Sequence, residues 1–339
     1  LIIKVIDYTE SLNMQFTTLG RTGLTVSVAG LGCGGSSRLG LTAGHSIAQC
    51  AHIIESAVDL GVNLIDTAKA YGTESVVAQA LKTIPRDSVI LSTKQKINQG
   101  NTLLSAQQII AGLDESLNTL GVDCIDIFFL HTVLPEAYAH AAQSIAPALI
   151  AEQKKGKFKF LGITEMPPKD HHHDMLQMAL KDDFWDVIMF AFHLLGQNAR
   201  DSVFPITQSK QIGTLIMFAV RSLFSTPGRL QSEIKQLADS GQLPIALNEA
   251  PYTLDFMLHP DNTQKIIDTA YRYTRHEPGS DVVLFGTSNP DHVASNIKSI
   301  LSPKLPKEQL DAIRDLFGKL EGVGLDEPNL TPTTKTVSS

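Results

Sequence analysis

Apolar residues in this chain follow two rhythms. Short runs, often β-branched, end near Cys33, Thr67, Lys94, His131, Thr164, Phe192, Val220 and Ser288, and runs of this length and composition are strand signals. Between them, apolar positions recur at steps of three and four. Leu103, Ala106, Ile110, Leu113, Leu117 and Leu120 predict a helix with one apolar face, and Gly121 marks its end, where a left-handed backbone costs glycine little. Most strand ends are separated by roughly the 30 residues that a βαβ unit occupies. Eight of them predict an α/β chain folded as a (β/α)8 TIM barrel. The stretch Leu60-Gly61-Val62-Asn63-Leu64-Ile65-Asp66 is echoed by Leu120-Gly121-Val122-Asp123-Cys124-Ile125-Asp126, so each marks a helix-to-strand corner on the barrel floor. Depth separates the two acids. The strand containing Asp126 runs on to His131, whereas the one containing Asp66 breaks just after it.

Two extended runs, Gln15 to Leu19 and Leu24 to Val28, flank the turn-rich Gly20-Arg21-Thr22-Gly23 and predict a β-hairpin. Residues 1–13 match no motif and are read as an N-terminal extension. Residues 14–320 form a single domain, and 321–339, rich in Gly, Pro, Thr and Ser, read as a frayed tail. The oversized interval from Arg221 to Asp281 predicts one helix plus extra material on the loop face, where long βα segments shape substrate access.

At 43% hydrophobic residues over 339 positions the chain can bury a large core. A net charge of −7 with no basic stripe argues against a nucleic-acid partner. The apolar runs are far shorter than the roughly 18 residues of a membrane span, and Leu1-Ile2-Ile3-Lys4-Val5-Ile6 is too brief for a secretory core. Three widely spaced cysteines, Cys33, Cys50 and Cys124, suit reduced thiols in a cytoplasmic protein. The run His171-His172-His173 invites a metal reading. Adjacent histidines on a helix point to different faces, however, so a solvated patch is expected and no metal is assigned.

Chemistry concentrates where the strands end. In such barrels active sites lie at the carboxyl ends of the strands, so Asp66, Lys94 and His131 should converge there, with Tyr71 above them on a loop. A free tyrosine titrates near pH 10, and a neighbouring ammonium is expected to lower that value. Lys94 would supply the ammonium, and Asp66 would keep it charged. Any one of these residues alone is more often a turn, a cap or a structural group; four in ordered strand-end positions favour a site. Gly32, Gly34 and Gly35 lack the lysine and spacing of a P-loop and are expected to let their loop lie flat at the mouth.

In this order and these contexts, Asp66, Tyr71, Lys94 and His131 resemble the catalytic residues of the aldo-keto reductases. The resemblance covers roughly Met14 to Leu301. It implies a hairpin closing the barrel floor, NADP or NAD as cofactor, Tyr71 as proton donor in reduction and base in oxidation, and a small carbonyl or sugar substrate. His131 would donate a hydrogen bond to the carbonyl oxygen as charge builds on it. Candidate cofactor contacts are Thr164, Glu165, Met189, Phe218, Arg221, Thr287, Ser288, His292 and Asn296. Thr164-Glu165 stands where a Ser-Asn pair usually holds the nicotinamide amide, Met189 where a glutamine helps it, and Phe218 where a tyrosine stacks on the ring. Gly286 and His292 stand where many members carry Lys and Arg against the 2′-phosphate, which implies tolerance of NAD. The run Met217-Phe218-Ala219-Val220-Arg221 resembles a branch containing aldose and L-galactose type dehydrogenases. Two readings from other classes compete: a Schiff-base aldolase using Lys94, and a non-catalytic barrel that senses dinucleotide.

Overall fold

In the computed structural model, which describes residues 12–244 and 266–325, the strand-like runs become twelve strands. A first pair, β1 (Phe16–Thr18) and β2 (Thr25–Ser27), forms the antiparallel hairpin. Then come β3 (Ala29–Gly32), β4 (Leu64–Asp66) and β5 (Ile90–Lys96). A short antiparallel pair follows, β6 (Asn98–Gln99) and β7 (Thr102–Leu103). The rest are β8 (Ile125–Val133), β9 (Phe158–Glu165), β10 (Val187–Ala191), β11 (Gly213–Met217) and β12 (Val282–Phe285). Strands β3, β4, β5, β8, β9, β10, β11 and β12 close into a barrel in that order, every pair parallel. The predicted (β/α)8 barrel is the observed fold.

Alternation along the strands sorts side chains into two layers. Leu64, Ile127, Phe129, Val187, Met189, Leu215 and Val282 face the barrel interior and pack with Leu19 and Val26 of the hairpin. Those two residues plug the floor, as the resemblance implied. A second, larger core lies between the barrel and its helices and includes Cys50, Ile54, Val76, Leu113, Phe158, Trp185, Ile297 and Phe317.

The helix at Ala106–Leu120 shows where periodicity misleads by one step. Leu103 belongs to β7 and is 44% exposed, so it is not helical. The helix starts after Ser105, whose side chain accepts from the Gln108 amide while Gln108 answers the Ser105 amide. That reciprocal cap fixes the start. Its buried face is Ile109, Gly112, Leu113, Ser116 and Leu120, with Ile110 and Leu117 on the flank. Small residues let this face approach the sheet. Gly121 closes the helix at φ 68°, in the left-handed region expected of it.

Asp126 sits at the floor. Its carboxylate accepts from Arg86 at 2.7 Å, from Lys159 at 2.7 Å and from the Leu91 amide at 2.9 Å. It ties β5, β8 and β9 together far from the end where Asp66 emerges. Beyond residue 320, Val323 is 6% exposed and packs into the outer core, so ordered packing passes the expected domain end. Residues 1–11, 245–265 and 326–339 lie outside the described residues, and with them most of the expected extension and tail and the middle of the long Arg221 to Asp281 interval. Among the described residues, no helix is long and apolar enough to cross a membrane.

Candidate active site

The inward-facing position at the end of each of three neighbouring strands carries a polar group. Asp66 ends β4, Lys94 lies on β5, and His131 lies on β8. Lys94 is wholly buried, and its Nζ donates to Asp66 Oδ1 and Oδ2, both at 2.6 Å, and to the Thr67 carbonyl at 2.8 Å. Ser92, two residues earlier on the same face, donates to Asp66 Oδ1 at 2.6 Å. With three acceptors around the ammonium, the buried charge pair meets the condition that makes such pairs tolerable. Above it, Tyr71 comes from a short turn at Lys69–Tyr71. Its ring centroid lies 5.1 Å from Lys94 Nζ, and the Phe129 ring flanks the same nitrogen at 5.9 Å. The Tyr71 hydroxyl stands 3.4 Å from His131 Nε2, with the two rings edge to face. All four expected residues therefore meet in one place.

The electrostatics differ from the sequence expectation in one respect. Burial raises the Tyr71 phenol above its ordinary value; Lys94 opposes this without overcoming it, and Asp66 adds to the rise. The ammonium is close enough to act, yet the carboxylate chelating it cancels part of its field. Burial works against the Lys94 charge, but Asp66 and the phenol outweigh it, and the lysine is held above its usual value. His131 goes the other way: burial, then the Lys94 and Lys96 cations, press it well below an ordinary histidine. It is a neutral imidazole at neutral pH. Its Nδ1 is buried without a partner.

The candidate cofactor residues divide. Thr164 faces inward at the end of β9, and its hydroxyl accepts from the Thr132 amide at 2.8 Å. Thr132 is left-handed at φ 54°, where β8 slips register against β9. Glu165 has the opposite parity and faces the helices. One oxygen accepts from the Ala191 amide at 2.9 Å and the other meets His173 Nδ1 at 2.6 Å. Met189 is 2% exposed within the interior core. Glu165 is thus turned away from the mouth, whereas Met189 faces inward in register with Thr164. Phe218 reaches the mouth, with φ 70° and the Arg221 guanidinium stacked 4.1 Å over its ring. Thr287 is buried and its hydroxyl bonds the backbone of Asn289. Ser288, His292 and Asn296 stand at successive steps of four: Ser288 precedes the helix Asp291–Leu301, His292 lies in its first turn and Asn296 one turn further on. Asn289 caps that helix through the Asp291 amide.

His173 corrects the expectation of a solvated histidine patch. His171 and His172 are exposed, but His173 is 3% exposed, left-handed at φ 58°, and bonded to Glu165 and Asn198. Burial disfavours its charge, but Glu165 and Asn198 outweigh burial and raise its pKa. A histidine raised on folding stabilises most when both states are protonated, below about pH 6.5. That stability is lost as pH rises through the folded value. His173→Gln should therefore cost about 1.5–3 kcal/mol at pH 5.5 and clearly less at pH 9, read by urea unfolding at both. An equal loss at the two pH values would contradict a charged pair.

Residues 31–317 match the model of the Aldo/keto reductase family. The chain belongs to the aldo/keto reductase family. An L-galactose dehydrogenase from Arabidopsis thaliana is 32% identical and aligns over 94% of this chain and 97% of its own length. An NADH-specific methylglyoxal reductase from Escherichia coli (strain K12) is 29% identical over 59% of this chain and 65% of its own. Among solved structures, an aldo-keto reductase from Bacillus halodurans in its holo form superposes with a TM-score of 0.69 at 22% identity, covering 94% of this chain and 99% of that one; at this identity the match shows the fold. This aldo/keto reductase is an oxidoreductase that uses a nicotinamide dinucleotide.

The phosphate end of the barrel mouth fits that cofactor. Gly286 is exposed, and a Cβ there would stand 3.1 Å from the Gly32 carbonyl, so bare backbone of β3 and of the turn after β12 forms a shelf beside a helix amino end. Sequence reasoning missed Ser92 and Phe129, although each lies two residues before a named strand-end residue and so shares its face. It also missed Thr132, whose left-handed conformation left no mark in the sequence.

Proposed function

We propose that Tyr71 is the general acid and base of hydride transfer between a nicotinamide dinucleotide and the carbonyl carbon of an aldehyde, ketone or sugar. The observation carrying this reading is the buried Lys94–Asp66 pair directly beneath a phenol that touches a neutral histidine. When bound, the dinucleotide supplies or accepts the hydride. In reduction Tyr71 delivers its proton to the oxygen, while His131, through Nε2–H, donates to that oxygen as charge grows on it. In oxidation of a sugar hemiacetal, the phenolate takes the C1 hydroxyl proton as the C1 hydride departs, leaving a lactone. Lys94 stabilises the phenolate in both directions. A Schiff-base role for Lys94 is disfavoured, because Asp66 holds the amine protonated and a protonated amine has no lone pair to attack with.

The direction favoured is NAD-dependent oxidation of an aldose at C1. Its support is the 32% identity to L-galactose dehydrogenase along nearly the whole chain, together with the missing cations at Gly286 and His292. A 2′-phosphate gains most from fixed Arg or Lys. Absorbance at the nicotinamide band, with L-galactose, other aldoses and methylglyoxal, each with both cofactors, tests this. The expected result is turnover of an aldose with kcat/KM for NAD within about tenfold of that for NADP, a gap of about 1.4 kcal/mol. A several-hundredfold preference for NADP, or reduction of aldehydes with no aldose oxidation, would overturn it. Free Cys33, Cys50 and Cys124 are consistent with a reducing cytoplasm.

A further inference from the structure

Gly34 lies just beyond the end of β3, in the loop that faces Tyr71. A Cβ built on it would stand 2.6, 2.7 and 2.9 Å from Cε2, Cζ and Cδ2 of the Tyr71 ring. Real carbon atoms do not approach so closely, since contact between them begins near 3.5 Å. The backbone of Gly34 is therefore one wall of the slot that holds the ring. The ring also meets the Lys94 ammonium beneath it and the His131 ring at its edge. Lys94 is fixed by three hydrogen bonds, and His131 is buried. A methyl group at position 34 must therefore displace the phenol ring from the place it occupies beside Lys94 and His131.

We infer that Gly34 is a positioning residue for the reaction: its missing side chain sets the distance of the Tyr71 hydroxyl from Lys94 and His131. The inference rests on the acid/base reading of Tyr71. Gly34 itself touches no reacting atom and acts only through the phenol. A displacement of about 1 Å at a reacting group costs on the order of a hundredfold in rate.

Gly34→Ala, Tyr71→Phe and the double variant separate the possibilities. Gly34→Ala should lower kcat by about a hundredfold, with the affinity for dinucleotide, read by fluorescence quenching, changed less than threefold. In the double variant kcat should equal that of Tyr71→Phe within about threefold, because a misplaced ring without its hydroxyl has nothing further to lose. A kcat for Gly34→Ala within threefold of the parent, or losses that multiply in the double variant, would overturn the inference. Full activity in Tyr71→Phe alone would remove the reading beneath it, and the inference with it. Should Gly34→Ala fail to fold, Gly34→Ala/Tyr71→Ala decides: recovered folded protein supports the steric link to the ring, and continued failure refutes it.

Discussion

Tyr71→Phe is expected to lower kcat by about 10²–10⁴-fold, the range general acid–base catalysis contributes, while dinucleotide binding and the folded structure persist. The substitution removes one oxygen. The ring still fills the space between Gly34, Lys94 and His131, so little packing is lost. The two directions should also diverge with pH. The phenol is raised by burial beyond what Lys94 offsets, so at neutral pH it is protonated and ready to donate. Reduction should hold level from neutral pH upward and fall only as the phenol ionises; sugar oxidation, which needs the phenolate, should rise over the same interval. His131, already neutral, adds no break near pH 7. A Tyr71→Phe enzyme retaining more than a tenth of parental kcat, measured by single turnover, would show that the proton travels another way.

Removing one partner of the Lys94–Asp66 pair should destabilise the fold as well as abolish turnover. Both side chains are almost completely shielded from water, and each is neutralised chiefly by the other. Lys94→Met leaves the Asp66 carboxylate buried with the Ser92 hydroxyl but no cation, and Asp66→Leu leaves the ammonium with the Thr67 carbonyl but no anion. Each single change should cost about 3–5 kcal/mol. Lys94→Met combined with Asp66→Leu leaves no buried ion and should regain much of that loss, yet remain without turnover. Urea unfolding of the three variants, paired with activity, checks this. Stability losses that simply add in the double variant would mean the pair is not mutually neutralising.

The barrel was legible because its signal is repetitive: eight apolar runs at near-regular spacing, each buried on both faces, leave few other ways to hide them. The hairpin and the four central residues were legible for a related reason, since each sits where a run stops. What escaped depends on parity and on irregular backbone. Thr164 and Glu165 are neighbours in sequence, but alternation sends one to the mouth and the other to His173. A strand end read without its inward set cannot tell them apart. His173 looked like its exposed neighbours until a left-handed φ turned it inward. The phenol's acidity was misjudged because its burial, which outweighs the Lys94 ammonium, was left out, and Asp66 was not credited with opposing that charge.

The hairpin has a further consequence for traffic through the molecule. With Leu19 and Val26 stoppering one end of the stave-like strands, the described residues offer a reactant no passage through the floor, so it enters and its product leaves from the side where Tyr71 stands.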